Sequence, residues 1–157
     1  MRRAIFLMLF LMAFNSYAQN RNEYKVVIDS AINIKLKTTA VQLSRQDKGM
    51  ASSNDYYLID QDNRALYYSS LTPNGINLKY MDVYNPKNKK ILRKGIAAWK
   101  VIGSLNGNKF TVTIIDFKIT YAKQNYDFSN GGGSMTQFQF SCKENRWLFL
   151  NQSASGL

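Results

Sequence analysis

The sequence predicts an α+β fold, with one N-terminal helix packed on a strongly curved antiparallel sheet that finishes as a C-terminal β-meander. Three observations carry this expectation. Past the first eighteen residues, apolar residues recur at helical spacing only as far as about residue 43, and beyond Asp55 the period changes to two. A long apolar stretch from Lys109 to about Lys123 then changes the parity of its apolar residues half-way along, as a bent strand would.

The first element is an export signal. Arg2 and Arg3 precede an apolar run from Ala4 to Phe14, and Ser16-Tyr17-Ala18 puts small side chains where a signal peptidase reads, so cleavage is expected after Ala18. The run is eleven residues, short of the roughly twenty that span a bilayer, and no later stretch approaches that length. Residues 19–157 are then a single α+β domain, and no cysteine follows the cleavage point as a lipid anchor would need. The expected location is the periplasm or the medium.

A helix is expected from Arg21 to about Leu43. Val27, Ala31 and Ile34 fall at i, i+4 and i+7, and Tyr24, Ile28 and Ile32 widen the stripe. Ile32, Ile34 and Leu36 also alternate with polar neighbours, so a strand competes; a helix to about Lys37 followed by a looser turn is preferred. Gln46 to Asp55 reads as a loop. Tyr56–Ile59 and Ala65–Ser69 read as two short strands around the polar reversal at residues 60–64. Thr72-Pro73-Asn74-Gly75 breaks the chain, residues 76–84 are strand or irregular, and Asn85–Asn88 is a turn.

The last third is a series of strands. Residues 98–105 lead into Asn106-Gly107, the dipeptide favoured in two-residue hairpins because both positions tolerate positive φ. In the next strand Phe110, Val112 and Ile114 share one parity and Ile115, Phe117, Ile119 and Tyr121 the other, which predicts a β-bulge near Ile114 and Ile115. Asn125–Ser134, with its glycine triplet, reads as a flexible connection. Thr136–Cys142 alternates as a strand and places Cys142 inward as a small core residue. Residues 143–146 turn the chain and Trp147–Asn151 returns it. Helix first and bent sheet after resembles the cystatin-like and nuclear transport factor 2-like cone folds over roughly Asn22 to Ser155. In those folds a carboxylate inside the pocket can act as a base, so the resemblance draws attention to Asp116.

Composition narrows the chemistry. The chain has no histidine, which removes Ser-His-Asp and Cys-His catalysis and most zinc sites. Its single cysteine forbids an internal disulfide. No cofactor motif is present: Gly131–Gly133 lacks the lysine and helix of a phosphate loop, and Asp60-Gln61-Asp62 lacks the glycine and glutamate of a calcium loop. Asp116 is expected to face solvent near Lys118, with a histidine-free base role as its rival. Without its first 18 residues the chain keeps 19 of 21 basic residues and all ten acids, a net charge of +9. Export and the scarcity of arginine argue against nucleic acid and for an acidic protein partner.

The expected function is non-catalytic protein binding, in the manner of periplasmic immunity proteins that neutralise a toxin. Tyr67, Tyr68, Lys79, Tyr80, Lys89, Lys90, Arg93 and Lys94 form a candidate interaction face, because tyrosine gives contact area at low entropy cost. Two rival binding classes stand beside it. One is a small-molecule binder using a helix–sheet cavity lined by Tyr24, Trp99, Asp116, Phe117 and Tyr121; the other is a binder of envelope polymers or anionic lipid.

Overall fold

The computed structural model describes residues 2–45, 54–68 and 75–155, with side chains at 23–44, 54–68 and 75–154. The loop expected over 46–53, Ser69 at the end of the second short strand, and the break at Thr72-Pro73-Asn74 lie outside the described residues. Helix α1 runs Arg2–Arg45, with no turn after Lys37. Its apolar stripe simply continues: Leu36 and Thr39 are buried, and Ala40 and Leu43 pack against the same core. Burial of that stripe outweighs the weak local preference of the Thr38-Thr39 pair for extended backbone. Among the described residues no helix is long and apolar enough to cross a membrane.

Six strands follow: β1 (Asp55–Ile59), β2 (Asn77–Tyr80), β3 (Ile96–Asn106), β4 (Lys109–Ala122), β5 (Asn125–Ser141) and β6 (Arg146–Ser155). They form one strongly curled sheet, a half-barrel, in the order β2-β1-β3-β4-β5-β6. The sheet is mixed and not antiparallel throughout, because β1 pairs parallel with both β2 and β3. Parallel neighbours need long crossovers, and residues 60–76 and 81–95 supply them. With both edges of β1 taken, the expected second short strand has nowhere to pair. It shrinks to one bridge between Ile59 and Ala65, at a turn held by Asp60, whose Oδ1 accepts from the amides of Asp62 and Arg64.

Asp55 ties β1 to β2 through the Lys79 ammonium and, at 3.1 Å, the Asn77 amide. The Lys79 and Asn77 hydrogen bonds hold its carboxyl below the ordinary aspartate value. A depressed folded-state pKa gives stability that is present above the unfolded value of about 4 and is lost as pH falls through the lowered one. The stability gap between the native chain and Asp55→Asn should therefore be open at pH 6 and close as acid titrates the folded carboxylate. Urea unfolding across that range measures it; a gap independent of pH would contradict the linkage.

Both faces of the sheet are covered, and this explains the parity change in β4. On one face α1 contributes Val27, Ala31, Ile32 and Leu36 to a core with Leu58, Trp99, Val101, Phe110, Val112, Ile114 and Phe138. On the other, Met81, Val83 and Leu92 cover Tyr57, Ile59, Ile96, Ala98, Ile119 and Tyr121. Residues 110, 112 and 114 therefore meet α1, while 117, 119 and 121 meet the second layer. β4 keeps its alternation against β3 from Asn106↔Lys109 to Ile96↔Ile119. The expected bulge is there, at Ile115/Phe117, but the one extra residue belongs to β5: Gly131 and Gly132 oppose Asp116 alone.

That bulge also corrects the reading of 125–134 as a flexible connection. Ala122 pairs with Asn125 across Lys123 and Gln124, which adopt φ of 49° and 66°, so β5 begins at once. A two-residue turn with both φ positive normally shows glycine or asparagine, and neither is present to signal it. Gly132 takes φ 99° in the bulge, and a Cβ on Gly133 would lie 2.5 Å from the Ile114 carbonyl oxygen. The triplet is thus a close backbone crossing.

Two smaller corrections follow the same logic. The β3–β4 turn is Gly107-Asn108, one residue later than expected, with glycine first at φ 59°. Cys142 is exposed, because β5 ends at Ser141 and the cysteine falls in the turn. The Asn85–Asn88 turn is a 3-10 turn over Pro86–Asn88, capped by the Asn85 side chain accepting from the Lys87 amide at 3.0 Å. It leads into a short helix α2 (Lys89–Leu92) whose anchor is the fully buried Leu92.

Candidate functional site

The residues expected to form one interaction face divide between the two sides of the sheet. Tyr67, Tyr68 and Tyr80 gather at the β2 end of the α1 side. Tyr68 is buried with its hydroxyl donating to Asn33 of α1, and the Tyr80 hydroxyl donates to the Tyr68 carbonyl oxygen at 2.8 Å. Tyr67 is exposed and its ring lies 5.0 Å from that of Tyr80. Lys79 points to the opposite side, over the Tyr57 ring. Lys89, Lys90, Arg93 and Lys94 lie on and just after α2, over the second core. Alternation along β2 separates Lys79 from Tyr80, and the tyrosines from the α2 cations.

A different set of tyrosines stands beside α2. The Lys89 ammonium sits 5.0 Å from the Tyr121 ring centroid, Tyr121 contacts Tyr126 at 4.8 Å, and Tyr126 meets Tyr84 edge-on at 5.1 Å. Tyr84 and Ile91 are exposed. Lys118 of β4 lies on the other side of the sheet, sharing the parity of Ile114 and Asp116, with its Cε 3.5 Å from where a Gly95 Cβ would stand. Among the described residues, Lys87, Lys89, Lys90, Arg93 and Lys94 form no ion pair with a carboxylate. The surface thus combines two exposed apolar side chains with five uncompensated cations on a base fixed by Leu92. The apolar period of β4 marks Tyr121, but only the topology brings Tyr84 and Tyr126 to it.

The five residues expected to line one cavity also divide. Trp99 and Asp116 face α1, and Tyr24 belongs to α1 itself, whereas Phe117 and Tyr121 belong to the second core. The space between α1 and the sheet is packed by Trp99, Ile32, Leu36 and Ile114, each almost or fully inaccessible. Tyr24 instead stacks on Phe110 at 5.0 Å and lines an outer hollow of about 280 Å³ beside Trp147.

Asp116 departs most from expectation. It shares its face with the exposed Lys118, but its Oδ2 accepts from Lys35 Nζ of α1 at 2.7 Å. The Lys35 side chain is 12 % exposed and Asp116 32 %. Lys35 also lies 5.7 Å from the Trp99 ring centroid, and Trp99 in turn packs on Tyr56 at 4.8 Å. Burial, and secondarily the Asp116 carboxylate, push the Tyr56 phenol above its ordinary value, so it stays neutral. The pair opens on a cleft of about 220 Å³ at the margin of α1, bordered by Thr38, Ser134 and Gln152. Lys35, Thr38 and Gln42, at i, i+3 and i+7, present one flank of α1 to it.

Among the described residues no three His, Cys, Asp or Glu side chains converge as a metal site. Comparison with protein families, curated proteins and solved structures gives no match to this chain.

Proposed function

We propose that this chain is an exported, non-catalytic binding protein that captures an acidic partner protein on the α2 surface, the task an immunity-type inhibitor performs. A cone-fold kinship with the cystatin-like or nuclear transport factor 2-like proteins belongs to the same proposal, supported by the order of helix and curled sheet. Export rests on the sequence of residues 2–18. Among the described residues, the α1 side chains that build the core begin at Tyr24, and cleavage after Ala18 leaves these in place.

The observation that carries the reading is the set of five unpaired cations around Ile91 and Tyr84. Apolar contact at the centre with charge at the rim is the usual anatomy of a protein interface, and lysine is favoured only at its edge. Unpaired surface cations raise encounter rates with an acidic protein and add little to the stability of the fold. Capture of partner from envelope and secreted fractions by the tagged mature chain tests this. At about 0.15 M salt the native chain should retain an acidic protein stoichiometrically. Lys90→Glu/Arg93→Glu/Lys94→Glu, all exposed positions, should slow association at least ~10-fold and leave the unfolding free energy within about 0.5 kcal/mol. Retention only at low salt, spread over many anionic components, would favour an envelope-polymer or lipid binder. Undiminished capture by the triple variant would refute the surface.

A further inference from the structure

We infer that the cleft beside Lys35 and Asp116 binds a small zwitterion of the free amino-acid class. The cleft is amphoteric. Lys35 uses one of its three N–H donors on Asp116 Oδ2, and among the described residues Asp116 Oδ1 accepts no hydrogen bond. The pair therefore need not break. A ligand carboxylate can take the remaining lysine donors while the ligand ammonium reaches the free carboxylate oxygen. A simple anion would meet Asp116, and a simple cation Lys35, so each gains less than a molecule carrying both charges.

A second observation points the same way. Ser134 lines the cleft, is only 4 % exposed, and its hydroxyl has no hydrogen-bond partner. A buried hydroxyl left unpaired costs about 1–3 kcal/mol, and an apolar residue would serve packing better at that position opposite Ile114. A polar ligand atom supplies what it lacks. Gly131 and Gly133 leave that wall of the cleft without side chains, which keeps it open next to the ion pair. The volume of about 220 Å³ equals roughly seven liquid-water volumes, suited to a small amino acid. Among the described residues no aromatic ring lines it, so they offer no stacking face of the kind a sugar would use.

This inference stands apart from the α2 surface, which lies on the other side of the sheet. Glycine, L-serine and L-glutamine, added one at a time to 15N-labelled mature protein, should give saturable shifts at Lys35 and at residues 131–134 with at least one of the three. Glutarate, 1,4-diaminobutane and glucose should give none there. Asp116→Asn should weaken binding at least ~10-fold, and Ser134→Ala, which removes one neutral hydrogen bond, about 3- to 10-fold at an unchanged unfolding midpoint. Should Asp116→Asn fail to fold, Ser134→Ala decides. Absence of saturable shifts at millimolar amino acid, equal binding of a single-charge or neutral control, or native affinity in Ser134→Ala would overturn the inference.

Discussion

Trp99→Ala should cost about 3–5 kcal/mol of unfolding free energy, read from urea denaturation of the mature chain. Trp99 is 1 % exposed and, among the described residues, is the largest fully buried side chain. It touches α1 through Lys35 and β1 through Tyr56, so its removal opens a cavity where helix and sheet meet. A small domain holds only about 5–15 kcal/mol in total, and the variant should be close to unfolding at room temperature. Trp99→Phe should lose well under half as much. Its ring refills most of the space and also deletes an indole N–H that is buried without a partner. A loss below about 1 kcal/mol for alanine would mean that α1 does not pack on this face as described.

Gly133→Ala should be nearly as damaging, although it adds a single methyl group. That methyl would stand 2.5 Å from the Ile114 carbonyl oxygen and 3.2 Å from the Ile115 Cα, both backbone atoms of the paired strand. Backbone cannot rotate aside as a side-chain tip can, so β4 and β5 must separate or shift register, at about 3 kcal/mol. Gly131→Ala is the control. Its Cβ would lie 3.5 Å from the Asp116 carbonyl oxygen, an ordinary contact, at a φ that alanine tolerates. The effect there should stay within about 1 kcal/mol. Equal unfolding midpoints for the two variants would show that the bulge is not built as the β4–β5 register implies.

The architecture was legible in the sequence wherever one periodicity ruled alone. The stripe from Tyr24 to Ile34 and the alternation of β4 state the helix and the longest apolar strand directly. What misled was a residue pattern with two physical causes. Apolar residues at 114, 115 and 117 look like a parity flip, yet they arise because one layer covers β4 up to Ile114 and another covers it from Phe117. Local composition at 125–134 looks like a loop, yet a fourteen-residue partner strand satisfies its backbone hydrogen bonds. Parallel pairing of β1 leaves no mark in its own five residues, since it depends on how the crossovers at 60–76 and 81–95 run.

The candidate sites were legible as residue types and not as groupings. Tyrosine and lysine abundance in the middle third is plain, but which tyrosine stands beside which lysine depends on the two-sided sheet. The sequence offers Asp116 a neighbouring cation on its own strand, Lys118, whereas the cation that reaches it comes from α1, 81 positions earlier. Ser134, a serine after three glycines, reads as part of a connection until the β5 register sets it opposite Ile114.

Amide hydrogen exchange on the purified complex with the captured acidic protein tests the central claim most directly. Protection should rise over residues 87–95, with the exposed flank of α1 unchanged. Protection confined to α1 or to the Tyr67–Tyr80 corner, with α2 exchanging as in the free protein, would contradict it.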